Sequence, residues 1–297
     1  MPRRKDIWRC GLIARPLEAV MAEGMAGAKV HWLPEEPRFR FLADPFAWRG
    51  ADHLHLFAEV YDYATRHGTI ELLTLDERFQ VRERRPCLAE PWHLSYPVVF
   101  EADGAVWMLP EAHRSGALYL YRMSAGPHDW VRETEIRLDC VPVDATPLYH
   151  GGRWWLFYSP ADSKATKVGH LHVAWAERIT GPWFPHPGNP VRIDRSSARP
   201  GGTALAIGNR ILLPTQDCTR TYGGAIRPLW IDRLDETGFA ATPAPPLDMP
   251  ASVGHYRDGM HTLSGGGGVT LIDVKYIDRS MAGLWLDINR RWGRSGA

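Results

Sequence analysis

The chain has 297 residues, 44% apolar and 23% charged, enough for a substantial buried core in one large or two smaller domains. Its 35 Lys and Arg are balanced by 34 Asp and Glu, which argues against a basic field for nucleic acid or anionic lipid. No apolar run reaches membrane-spanning length, Arg9 and Arg15 interrupt the apolar stretch behind the basic start, and the four cysteines lack metal-like spacing. The expectation is a cytoplasmic protein with reduced thiols and no membrane partner.

Residues 1–36 read as a lead-in, with helical composition over 16–25. A sixteen-residue frame then begins at Asp44 and recurs at Tyr96 and Asp144, with looser copies starting at Arg199 and His261. Each copy opens on a polar or aromatic residue, usually beside Pro. An apolar run, a turn containing Gly or Asp and a second apolar run follow, which is the pattern of a β-hairpin. The starts lie 52, 48, 55 and 62 residues apart. Behind the hairpins come further strands over 69–75, 117–123, 169–176 and 225–231, and a Pro-rich connector over 241–252 precedes the last copy.

A period of roughly 50 residues built from short strands marks a β-propeller with one blade per repeat. The predicted fold is therefore all-β: a five-bladed β-propeller over residues 37–290 with a polar central pocket, followed by a flexible tail over 291–297. The 13 Trp, 10 Tyr and 9 Phe are expected mainly between blades, with a few lining a cleft where ring faces stack on the C–H faces of a sugar.

Inner strands of a propeller converge on its channel, so the frame starts predict a mouth lined by Asp44, Tyr96, Asp144, Arg199 and His261. The ends of the second strands add Glu59, Glu111, Gln216 and Asp217, and His93 stands three residues before Tyr96. Carboxyls brought together from different blades suit glycoside cleavage, in which one stays ionised and another stays protonated. Any one of them alone could equally fix a turn or join a structural ion pair. No spacing supports a metal, a cofactor or a Ser-His-Asp triad.

Several segments resemble a bacterial propeller family similar to the amino-terminal domain of plant glucosamine inositolphosphorylceramide transferase. They are Phe-Leu-Ala-Asp44-Pro-Phe, His93-Leu-Ser-Tyr-Pro-Val-Val-Phe-Glu101, Trp107-Met-Leu-Pro-Glu111, Val143-Asp144-Ala-Thr, Gly152-Arg-Trp-Trp-Leu-Phe157, Ala198-Arg-Pro-Gly201, Gln216-Asp-Cys218 and Asp258-Gly-Met-His261. More remotely the chain is similar to the five-bladed arabinanases, β-xylosidases and fructosidases. That resemblance implies a carboxylate in blade one, matched by Asp44, whereas Tyr96 stands at the blade-two position.

The reading that follows is glycosidase-like hydrolysis or transfer on a saccharide-like substrate. Asp44 would be base or nucleophile, Glu111 the acid and Asp144 the group that tunes it, with Glu59, His93, Tyr96, Arg199, Gln216, Asp217 and His261 holding the substrate. A non-catalytic carbohydrate-binding propeller, and a biosynthetic enzyme that has reused the pocket for other acid–base or acyl chemistry, are the alternatives.

Overall fold

A computed structural model describes residues 4–292 and shows a five-bladed β-propeller. Blade one comprises Arg40–Arg49, Leu54–Asp62, His67–Leu75 and Val81–Leu88, counted from the centre outward. Blade two comprises Ser95–Ala102, Ala105–Glu111, Leu118–Met123 and Trp130–Ile136. Blade three is built on Pro142–His150, Arg153–Pro160 and His170–Ala176, with Phe184–Pro185 and Arg192–Ile193 on its outer edge. In blade four a broken inner strand, Arg199–Pro200 and Leu205–Ile207, pairs with Arg210–Asp217, which is followed by Ala225–Leu234 and Phe239–Pro243.

Blade five takes its two inner strands, Leu263–Gly266 and Val269–Asp278, from the end of the chain and its two outer strands, Lys5–Ile13 and Val30–Trp32, from the beginning. Lys5 pairs with Asp278 and the ladder runs without a break to Ile13 opposite Thr270. The stretch expected as a lead-in is thus half of a blade, and its backbone hydrogen bonds clasp the ring shut. A short helix, Leu17–Glu23, lies inside this segment. A longer helix, Met281–Trp292, follows the last strand, and the rest of the expected tail lies outside the described residues.

Hairpin turns at one end of the ring set the register. Asp103-Gly104, Gly151-Gly152 and Gly267-Gly268 each place two consecutive residues at positive φ, the geometry that matches the twist of two-residue hairpins. The core consists of layers between blades rather than one central mass. Leu42, Leu56 and Leu73 of blade one pack on Cys10, Leu12 and Leu271 of blade five. Trp107 and Leu109 meet Trp154 and Leu156 between blades two and three, and Trp155, Phe157 and Leu171 meet Leu213 and Leu229 between three and four. Each such side chain contributes about 1.5–3 kcal/mol when fully buried, so most of the tryptophans are accounted for by blade packing.

Blades four and five are also stitched together near the axis. The Leu263 N–H donates to Gly201 O (2.8 Å) and Gly202 bridges to Leu263. A Cβ on Gly202 would sit 1.7 Å from Leu263 O, so only glycine permits this approach.

Candidate active site

At the opposite end from the hairpin turns, the inner strands of blades one to three share one irregularity. Their ladders slip by one residue between Ala43 and Phe46, Ser95 and Val98, and Val143 and Thr146. Inside each slip stands a non-glycine residue at positive φ: Asp44 (50°), Tyr96 (46°) and Asp144 (49°). A backbone held this way costs on the order of 1–3 kcal/mol and persists only where its surroundings over-determine it. All three first residues of the tight frame are therefore strained, and each reaches across to another blade.

Asp44 Oδ1 accepts from Thr262 Oγ1 (2.7 Å) before blade five, and its Oδ2 from the Tyr96 N–H (3.2 Å). The Tyr96 hydroxyl accepts the Gly202 N–H (2.6 Å) and lies 2.9 Å from Thr146 Oγ1. Asp144 Oδ2 accepts from Arg199 Nε and Gln216 Nε2, both at 2.7 Å. Pairing also shows that Arg199 stands opposite Gln216 as Ala43 stands opposite Glu59, one position before the bulge.

Above these residues opens a cavity of about 550 Å³. Asp44, Glu59, His93, Glu111, Arg199 and His261 line it, joined by Trp8, Tyr61, Tyr63, His113, Arg114 and Tyr222. The remaining expected residues lie elsewhere. Tyr96, Asp144 and Gln216 are buried outside the lining, locked by the bonds just described; Tyr96 and Gln216 thus sit away from the substrate expected of them, while Asp144 reaches the cavity only through Arg199. Asp217 turns to Arg227 (3.0 Å) and Thr219 and serves the blade-four edge.

Electrostatics separate the carboxyls that share the cavity. Burial, then the charges of Asp44 and Glu111, push Glu59 well above the usual carboxylate range. Its neighbour His93, with Nε2 3.5 Å from Glu59 Oε1, is pushed by burial down to about 4. Burial also lifts Asp44, to about 6, against the opposing pull of His261. Glu111 goes the other way: burial works against its ionisation, but the hydrogen bond and charge of His113 bring it down to about 2. Glu111 is thus held towards its ionised form, which favours an acceptor over the proton donor expected from its position in the repeat.

His261 stands between Asp44 and Asp273. Its Nε2 is 3.5 Å from Asp44 Oδ1, its Nδ1 is 2.7 Å from Asp273 Oδ2, and Trp8 stacks on the ring at 3.7 Å. Burial opposes the charge on His261, yet Asp273 and Asp44 raise its pKa, while Asp273, also buried, is held ionised by His261. Asp273 further accepts the N–H groups of Asp44, His261 and Thr262, each at 3.0 Å. It escaped the sequence reading, although an acid within the apolar run Leu271-Ile272-Asp273-Val274 is itself a signal of a buried partner.

Among the described residues, metal-capable atoms gather within 4.8 Å of one another in two places: Asp44, His261 and Asp273, and on blade three Asp139, Cys140 and His172. In the first, both carboxylates are already filled by backbone and side-chain donors. In the second, Asp139 accepts from Tyr158 (2.6 Å), Asn189 (3.1 Å) and His172 (2.9 Å). Both sets are satisfied internally.

The fold is similar to that of an α-L-arabinofuranosidase from Podospora anserina solved in complex with cellotriose, with a TM-score of 0.58, 12% identity, and coverage of 88% of this chain and 85% of that one. Glucosamine inositolphosphorylceramide transferase 1 of Oryza sativa subsp. indica is 33% identical over 207 residues, 68% of this chain and 28% of the rice protein. Its namesake in Arabidopsis thaliana is 33% identical over 229 residues, 76% of this chain and 29% of that protein. The chain therefore spans less than a third of these relatives. Residues 34–259 match the model of the N-terminal region of glucosamine inositolphosphorylceramide transferase 1, and the chain belongs to that family.

Proposed function

We propose that the cavity performs acid–base chemistry on a saccharide or sugar-like group, cleaving or transferring a glycosyl unit, with Asp44 as the base or nucleophile and Glu59 as the acid. One observation carries this reading: a single cavity holds two buried carboxyls in different surroundings, Asp44 beside His261 and Glu59 beside neutral His93 and the charges of Asp44 and Glu111. Near neutral pH Asp44, at about 6, is mostly ionised, whereas burial and the neighbouring charges favour the protonated form of Glu59. That division of labour is what displacement at a glycosidic carbon requires. His261, braced by Asp273 and stacked on Trp8, orients Asp44, and neutral His93 lies beside the Glu59 proton. Ionised Glu111 and the flat faces of Tyr61, Tyr63 and Tyr222 offer a hydroxyl acceptor and stacking surfaces to a sugar ring. The carbohydrate-related names of the relatives and the glycosidase-like fold support the substrate class.

The test is turnover of a panel of glycosides and nucleotide sugars by Asp44→Asn and Glu59→Gln. Each is expected to lose about 10²–10⁴ in kcat with substrate binding kept. In the unmodified protein the rate should fall as pH drops through about 6, where Asp44 takes up a proton. Unchanged rates in both variants would refute the assignment. A second reading is favoured by the short span of the match: the propeller holds the saccharide while a separate part of its relatives does chemistry. It predicts that the panel binds without turnover.

A further inference from the structure

The closing helix, Met281–Trp292, packs with its polarity reversed. A surface helix normally turns its apolar stripe to the core. Here the inward side presents Gly283 and Asp287, and Asp287 is tied by Lys5 Nζ (2.6 Å) and Arg290 (2.9 Å). Met281 (58% exposed) and Trp285 (59% exposed), one turn apart, face solvent, with half-buried Leu284 and Ile288 completing an i, i+3, i+4, i+7 stripe. A buried ion network thus secures the helix, and Met281 and Trp285 are left exposed.

The inward side of this helix is tied to the cavity rim. Arg290 donates to Tyr63 O (2.9 Å), Lys5 Nζ sits 5.1 Å over the Tyr63 ring, and Tyr63 lines the cavity. Exposed cations share the neighbourhood. Arg66 is 3.8 Å from Asp287, Arg114 bonds to Arg66 O, and Arg38 and Arg279 flank the helix start. Asp278 and Asp287 are covered and exposed Asp258 accepts the Ile277 N–H (2.8 Å), yet the four exposed arginines outnumber the acids here although the whole chain is nearly neutral.

The geometry points to this helix and its arginine rim as a docking surface for an anionic lipid bilayer, which would bring headgroups to the cavity mouth. Apolar side chains with Trp on one face of a helix and arginines at its edge are what lie stably in a headgroup layer, each cation adding attraction to acidic lipid. The net charge of the chain conceals this, because it averages a basic rim against acids elsewhere.

The test is co-sedimentation of the full chain with sucrose-loaded vesicles of phosphatidylcholine, alone or with roughly 30% phosphatidylserine. Binding is expected to the acidic vesicles and to weaken in high salt. Met281→Ser with Trp285→Ser should lower the partition coefficient about tenfold or more, and Arg38→Glu with Arg279→Glu should remove the preference for acidic lipid. All four positions are exposed, so unchanged thermal melting of each variant verifies folding. The proposal is overturned if the chain stays in the supernatant, or if the apolar variant binds as well as the original. It is overturned equally if light scattering shows a dimer that the apolar variant dissociates, since the stripe then covers a second copy. Sedimentation needs no turnover, so this result and that for Asp44 and Glu59 stand or fall separately.

Discussion

The two ends of the propeller use the same unusual backbone conformation for opposite purposes. At the hairpin end, positive φ falls mainly on glycine: Gly104, Gly151, Gly152 and Gly268 have open space where a Cβ would be. The turn needs the shape, and glycine supplies it at little steric cost. At the cavity end the same region of φ is held by Asp44, Tyr96 and Asp144, whose side chains tie blades together beneath or within the cavity. A residue that bears strain glycine would relieve is kept for its side chain, and three of them recur at one repeat position.

Replacing residues at both ends sharpens that contrast. The largest effect should come from Asp44→Gly, which relaxes the backbone but removes the carboxylate. Turnover is expected to fall by about 10²–10⁴ in a protein that still melts cooperatively, and retained turnover would mean that the conformation alone matters. Next comes Tyr96→Phe, which leaves the Gly202 N–H without its hydroxyl partner. Urea denaturation should show a loss of about 1–3 kcal/mol, and a neutral result would mean that this bond does not hold the blades together. The smallest effect belongs to Asp103→Gly at a hairpin turn, where stability should change by less than about 1 kcal/mol with no change in turnover. A marked loss of turnover there would break the division between the two ends.

Much of the fold was legible in the sequence because a hairpin is local: its two strands, its turn and its register sit within sixteen residues. The N-terminal strand was not, since Lys5 finds its partner in Asp278 at the far end of the chain, and no pattern within residues 1–36 announces that. The repeat also brings Asp44, Glu59 and Glu111 to one cavity while hiding their difference. Glu59 and Glu111 occupy equivalent positions, opposite Ala43 and Ser95. Their protonation is set by neighbours that the repeat does not specify, a histidine two residues on for Glu111 and one from the loop before blade two for Glu59. Asp273 was visible as a charge in an apolar strand, but its three backbone donors could be counted only in three dimensions.

The clasp in blade five also bears on how the protein is made. Lys5–Ile13 leaves the ribosome well before the strand it pairs with, Val269–Asp278. At ~5–20 residues per second it waits on the order of ten seconds to a minute with an unpaired edge open to other strands. Lys5 and Arg9 place charge along that edge, a defence against premature pairing during the wait.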